Sequence, residues 1–319
     1  MSTALVITIQ YTRFNNLKLN GCYNDGNNFI NTIKKINPNT NFIIMRDDLA
    51  IGSSLYPSRA NILREFRKLI NSSSSNLYFY YSGHGTSIMD NNKDEQTINS
   101  STNGKNISRI QSLLKDSCIV SNDVNKINVI SDDELFNIVV NLRANQKLYG
   151  FLDSCNSGTG MDLPWVNLGN FNTNFSSNSL NDLLNETKNK CTITSANYPD
   201  KVNKIKGHVI LFSGTRDNSY SYEINQNNQA FGLFTNKLCW LINQNIENLT
   251  LRQFYLCLIG LINNPRQIPV LTLSKNISLD TNKMINFKLA NTNLQTNLNQ
   301  KVVPANKKLY LFYLLKSKK

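Results

Sequence analysis

The stretch Leu148-Tyr149-Gly150-Phe151-Leu152-Asp153-Ser154-Cys155-Asn156-Ser157-Gly158 begins as an apolar run and breaks into small, turn-forming residues. Such a run fits a fully buried strand, and the small residues and glycine after it force a tight turn. A second stretch follows the same pattern, with Leu77 to Tyr81 running into Ser82-Gly83-His84-Gly85. Cys155 and His84 are thus both expected at strand carboxyl ends, where open α/β sheets build their sites. A thiol attacks carbonyls well only as thiolate, and a histidine within hydrogen-bond reach supplies the base that makes it one. Cys155 is therefore the candidate nucleophile and His84 the candidate base. The backbone amides of Gly85 and Cys155 are candidates for an oxyanion hole, because glycine lets a substrate carbonyl approach closely.

Working outward, strand-like runs appear at Ala4 to Ile9, Phe42 to Met45, Leu77 to Tyr81, Leu148 to Leu152, His208 to Phe212 and Ile268 to Leu273. Helical patterns separate most of them, at Asp25 to Ile36, Ser58 to Ile70, Asp132 to Leu142, Phe231 to Ile242 and Leu251 to Ile262. Ser131-Asp132-Asp133-Glu134 and Thr250-Leu251-Arg252-Gln253 fit the capping box, in which side chains satisfy the orphan amides of a helix start. This alternation predicts an α/β fold with a mostly parallel sheet covered on both faces. Two polar stretches rich in Asn and Ser, Asp90 to Lys115 and Gly169 to Lys190, interrupt it and read as loops.

A chain of 319 residues can bury one large core, and 40% hydrophobic with 17% charged residues fits a globular protein. The formal charge of +13 permits attraction to nucleic acid or anionic surfaces. The lysines are scattered, however, and basic residues meet aromatics only in the terminal stretch from Lys307 to Lys319. Its apolar centre is too short to span a bilayer, so it reads as an element with a solvated basic end. Neither a membrane span nor a nucleic-acid partner is expected, and the chain is expected to be a monomer. The six cysteines show no CxxC spacing and only two histidines accompany them, which argues against zinc. Cys239 and Cys257 read as buried small hydrophobes. Residues 4 to 9 lack the basic lead and cleavage site of a signal peptide, so a reducing, cytoplasmic setting is expected.

The segments Ser82-Gly83-His84-Gly85 and Asp153 to Gly158 resemble the two catalytic signatures of metacaspases, caspase-like cysteine peptidases. Five further stretches agree in order over roughly residues 4 to 280: Leu19 to Asp25, Arg59 to Leu63, Asp132 to Leu135, Met161 to Pro164 and Phe212 to Gly214. Members of the family usually carry histidine where this chain has Asn156. The resemblance implies a caspase-like three-layer fold, with a six-stranded sheet between helices. It also implies a division into a large-subunit-like part (1–168), a polar junction (169–190), a small-subunit-like part of the same domain (191–283) and a basic tail (284–319). No proline-rich or zinc-binding leader is expected before the first strand.

In function, the resemblance implies a cysteine endopeptidase cutting proteins or peptides after arginine or lysine. Positions matching Cys22, Asp25, Ser82 and Asp153 would line the pocket for that basic residue, and two converging carboxylates suit a guanidinium or ammonium. Taken alone, Asp25 also fits a helix N-terminus and Asp153 a turn. Positions matching Asp116, Asp132, Asp133 and Asp162 would bind calcium as an activator, and carboxylates from three loops suit a hard cation. Asp132 and Asp133 also fit plain helix capping. Self-cleavage is expected at Lys188 or Lys190 in the junction, or at Lys93, Lys105 or Lys115 in the first polar stretch. A non-catalytic scaffold or decoy that binds peptides or partner proteins is the alternative.

Overall fold

The computed structural model describes residues 1–90, 115–123, 125–169, 193–197, 201–217, 219–244, 249–282 and 284. In chain order the strands are β1 (Ser2–Thr8), β2 (Thr40–Arg46), β3 (Asn76–Ser82), β4 (Gly85–Met89), β5 (Lys115–Asp123), β6 (Lys126–Ser131), β7 (Lys147–Asp153), β8 (Trp165–Gly169), β9 (Ile193–Asn197), β10 (His208–Ser213), β11 (Glu223–Gln226), β12 (Gln229–Gly232) and β13 (Val270–Leu273). The helices are α1 (Cys22–Ile36), α2 (Arg59–Asn71), α3 (Asp132–Val139), α4 (Leu233–Asn243) and α5 (Leu251–Ile262).

One eight-stranded sheet, in the order β2-β1-β3-β7-β10-β13-β8-β9, organises the described residues. Pairing is parallel from β2 to β10 and antiparallel from β10 onward. All six expected strands are in it, and the expected count of six is corrected to eight. The additions are β8 and β9, at the edge next to β13. Their sequences border the polar junction and carry no sustained apolar run, so pairing makes them strands, β8 on β13 and β9 on β8. Two smaller sheets, β4-β5-β6 and the hairpin β11-β12, lie apart from the main one.

Alternation along the strands sends successive side chains to opposite faces. Val6, Tyr80, Phe151 and Phe212 meet Phe29 of α1, Leu238 of α4 and Phe254 of α5 on one side. Leu5, Ile7, Phe79, Leu152 and Leu211 meet Phe66 of α2 and Leu135 of α3 on the other. This gives three layers, with the sheet in the middle. Both expected capping boxes are formed, by Ser131 with Glu134 and by Thr250 with Gln253. The fourth helix starts at Leu233 rather than Phe231, because Phe231 pairs with Ile224 in the β11-β12 hairpin. No helix of the described residues is long and apolar enough to cross a membrane. Almost all of the first polar stretch and of the junction lies outside the described residues.

Candidate active site

Strands β3 and β7 run parallel in a register that ends with Ser82 opposite Asp153. His84 and Cys155 each lie two residues past that pair, so adjacent strand ends bring the candidate base and the candidate nucleophile to one place. The Gly83 amide donates to the Asp153 carbonyl at 3.4 Å, holding the two turns together. Gly85 is pressed against the Cys155 backbone: a Cβ there would overlap the Cys155 carbonyl oxygen and come within 3.1 Å of its nitrogen. Only glycine permits that approach.

His84 is held on every side. Its Nε2 lies 2.7 Å from the Leu17 carbonyl oxygen. A carbonyl can only accept, so Nε2 carries the ring proton and Nδ1 is left as the basic nitrogen. The ring packs on Tyr11 with centroids 4.7 Å apart, the Tyr11 hydroxyl accepts the His84 amide at 3.0 Å, and the Tyr81 hydroxyl donates to the His84 carbonyl at 2.7 Å. Cys155 is fully buried, and the Ser221 amide donates to its Sγ at 3.1 Å. That donor bears on the charge a thiolate sulfur would carry. Leu17 and Ser221 act here through backbone groups, which leave no signature in a sequence.

Asn156 has φ of 49°, in the left-handed region. Asparagine and histidine are among the side chains that tolerate this region best, so the Asn156 position accepts either on backbone grounds. Its amide donates to the Ser219 carbonyl at 3.3 Å, tying the nucleophile turn to the segment that carries Ser221. Replacement by a β-branched residue strains this turn by about 1–3 kcal/mol. Asn156→Val is therefore expected to melt several degrees below wild type and to lose activity, while Asn156→His retains the wild-type melting temperature; thermal unfolding of the pair decides it.

Asp25 and Asp153, the two acids expected in the pocket, converge. Gly232 of β12 sits between them: a Cβ there would overlap Asp153 Oδ2 and lie 2.9 Å from Asp25 Oδ2. Asp25 accepts from the Ser82 hydroxyl at 2.9 Å and the Gly232 amide at 2.7 Å. Asp153 accepts from the Ser221 hydroxyl at 2.7 Å and from the Thr235 amide and hydroxyl at 3.1 and 2.7 Å. Burial, then Asp25 and Asp153, push the neighbouring Tyr80 hydroxyl well above its ordinary range. Cys22 lies three residues before Asp25, on the same face of α1, and belongs to the buried cluster that includes Ile9, Tyr11 and Leu19. Segment 219–235 thus closes over the carboxylates. Gln267 props it by donating to the Ser221 hydroxyl at 3.2 Å, and Glu223 pins it to the start of α1 through the Gly21 amide at 2.7 Å.

The four acids proposed for calcium do not form a ready cage. Among the described residues, no three acidic, histidine or cysteine side chains are gathered so as to hold a metal ion. Asp132 Oδ2 accepts the Ser117 amide at 2.8 Å. Asp162 Oδ2 instead meets Lys201 Nζ at 2.9 Å, and Asp133 Oδ1 lies 3.9 Å from the same nitrogen. The donor chemistry suits a hard cation, while the arrangement as it stands is built around an ammonium. Asp116 is buried on β5 beside Ser117, and burial with Asp132 and Asp116 raises the nearby Cys118 thiol far above its ordinary range.

Asp217 escaped sequence reading. It is partly buried and accepts the Thr159 amide at 2.8 Å and the Ser117 hydroxyl at 2.9 Å, bridging the loop after Cys155 and β5. Burial is the leading influence and raises its carboxyl above the ordinary value. It stands three residues after Phe212-Ser213-Gly214, the one motif that could have led to it.

A sheet that is parallel through its centre, flanked by helices on both faces and presenting Cys and His at neighbouring strand ends, defines the caspase-like class of fold. A solved caspase-1 of Spodoptera frugiperda superposes with a TM-score of 0.50 over 90% of each chain at 11% identity. A solved Geobacter sulfurreducens protein does so with a TM-score of 0.54 over 91% of this chain and 99% of that one, at 16% identity. Residues 2–164 match the metacaspase peptidase C14 domain, and the chain belongs to the metacaspase family. It is 27% identical to metacaspase-5 of Trypanosoma cruzi over 86% of its own length and 29% identical to metacaspase-1 of Kluyveromyces lactis over 72%. It spans somewhat more than half the length of each, 58% and 56% respectively.

Proposed function

We propose that this protein is a cysteine endopeptidase that cleaves after arginine or lysine. The parallel register of β3 and β7 carries the reading, because it sets His84 and Cys155 side by side past paired strand ends. His84 Nδ1 takes the Cys155 thiol proton, and the thiolate attacks the scissile carbonyl carbon. Charge on the carbonyl oxygen is met by backbone amides, Gly85 and Cys155 being the proposed donors. The C–N bond breaks, the leaving amine takes the proton from His84, and an acyl-thioester remains. Water, deprotonated by His84, hydrolyses the thioester and restores the thiol.

Specificity follows from Asp25 and Asp153, whose carboxylates converge behind Gly232. A substrate guanidinium or ammonium replaces the donors that now satisfy them, so segment 219–235 shifts when substrate enters. These local acids reverse the potential of a chain whose net charge is +13. Calcium enters the proposal as an activator near Asp116, Asp132, Asp133 and Asp162. It would neutralise carboxylates next to the loop that follows Cys155, and no chemical step passes through it. The proposal includes a monomer in a cytoplasmic setting; the five cysteines of the described residues, all free thiols, support only its reducing character. Self-cleavage belongs to the same proposal. Lys93, Lys105, Lys188 and Lys190 lie outside the described residues, whereas Lys115 is the exposed first residue of β5, paired with Met89.

The test is hydrolysis of a fluorogenic peptide panel with and without calcium, with Cys155→Ala as the blank. Arginyl and lysyl peptides are expected to be cut and aspartyl peptides refused. Calcium at low millimolar concentration is expected to raise the rate, with magnesium a poor substitute, and Asp132→Ala/Asp133→Ala to abolish the response. Full activity in a chelator would remove calcium from the proposal. The scaffold alternative draws on the burial of Cys155 and the internal satisfaction of both pocket acids. Labelling by an arginyl electrophilic peptide, lost in Cys155→Ala, excludes it.

A further inference from the structure

We propose that Lys201 is a tethered counter-cation that holds the acidic cluster in place of a metal, so that calcium binds only by displacing it. Lys201 is 6% exposed, which is rare for a lysine and sustainable only where partners replace its hydration. Those partners are present: Asp162 Oδ2 at 2.9 Å, Asp133 Oδ1 at 3.9 Å, and the ring of Phe136 with its centroid 5.2 Å from Nζ. The aromatic face attracts a cation and excludes water from one side of it.

Asp162 is where the tether matters. It is 1% exposed, has φ of 45°, and donates its amide to the Thr159 carbonyl at 2.6 Å. Thr159 is bound in turn to Asp217 and, at 3.5 Å, to Asp132, so one ammonium steadies the loop that begins at Cys155. A buried carboxylate deprived of its cation is strongly destabilising, because the charge stays behind without compensation. A divalent ion offers the same compensation with twice the charge. The two cations want the same oxygens, and one of them is covalently attached at high effective concentration. Weak calcium binding is the consequence.

This inference rests on the calcium reading above, and its test separates the two. Calcium binding to the full chain is measured by calorimetry, and thermal unfolding is followed in chelator and in calcium, for wild type, Lys201→Met and Lys201→Gln. Both variants are expected to bind calcium at least about tenfold more tightly than wild type. In chelator both are expected to melt below wild type, and calcium is expected to restore them while barely moving wild type. Asp162→Asn added to Lys201→Met is expected to cancel the gain in affinity. Equal affinities in all three proteins would overturn the role of Lys201 while leaving the calcium reading intact. Binding in none of them would overturn both. A variant too unstable to purify in chelator yet recovered with calcium counts in favour; one that calcium does not recover counts against.

Discussion

Cys155→Ala and His84→Ala are each expected to lower kcat/KM on an arginyl peptide by at least about 10⁴-fold, and the double variant by little more than either alone. The reason is that nucleophile and base act as one unit: without His84 the thiol keeps its proton, and without Cys155 there is nothing to activate. His84 Nε2 is spent on the Leu17 carbonyl, so no rotation of the ring lets that nitrogen substitute for Nδ1 without breaking a 2.7 Å hydrogen bond. Folding is expected to survive in Cys155→Ala, since the change removes one sulfur from a site whose backbone is fixed by Gly85 and Asn156. Paired measurements of kcat/KM and melting temperature check this. Residual cleavage in Cys155→Ala above the level of a mock preparation would refute the mechanism, and additive losses in the double variant would show that the two residues act independently.

Asp153→Ala is expected to damage stability and specificity together. Its carboxylate satisfies the Ser221 hydroxyl and both the amide and hydroxyl of Thr235, all in a site closed to water. Leaving such donors without an acceptor costs roughly 1–3 kcal/mol each, on the order of 3 kcal/mol or more together. For a chain of this size that lowers the melting temperature by at least about 4–5 °C. Asp153→Asn keeps the shape and one acceptor, so it is expected to recover much of the stability. It lacks the charge, however, and its preference for arginyl over neutral peptides is expected to fall by at least about tenfold. The two variants therefore separate a structural acid from a pocket acid. An Asp153→Asn enzyme with wild-type preference would remove Asp153 from the pocket and leave Asp25 as the remaining acid.

Much of the framework was legible because it obeys local rules. The apolar runs at Leu77 to Tyr81 and Leu148 to Leu152 are buried on both faces, a condition that writes itself into sequence as uninterrupted hydrophobicity. Capping at Ser131 and Thr250 is contained within four residues and needed no partner from elsewhere. Strands β8 and β9 were missed for the opposite reason: Trp165–Gly169 owes its conformation to the β13 edge, and Ile193–Asn197 to β8 in turn.

The amino-acid sequence by itself determined that this is an α/β chain with a cysteine and a histidine at strand ends, because burial and turn chemistry are properties of consecutive residues. It could also nominate Asp25, Asp153, Asp132 and Asp162 by type and motif. Only the tertiary structure decided what those acids meet. Gly232 between Asp25 and Asp153, Ser221 against the Cys155 sulfur, Leu17 behind His84 and Lys201 against Asp162 are all contacts between residues 39 or more positions apart. A charge in a buried site is defined by its nearest compensating group, and nearness across such separations is set by how the sheet and its helices pack.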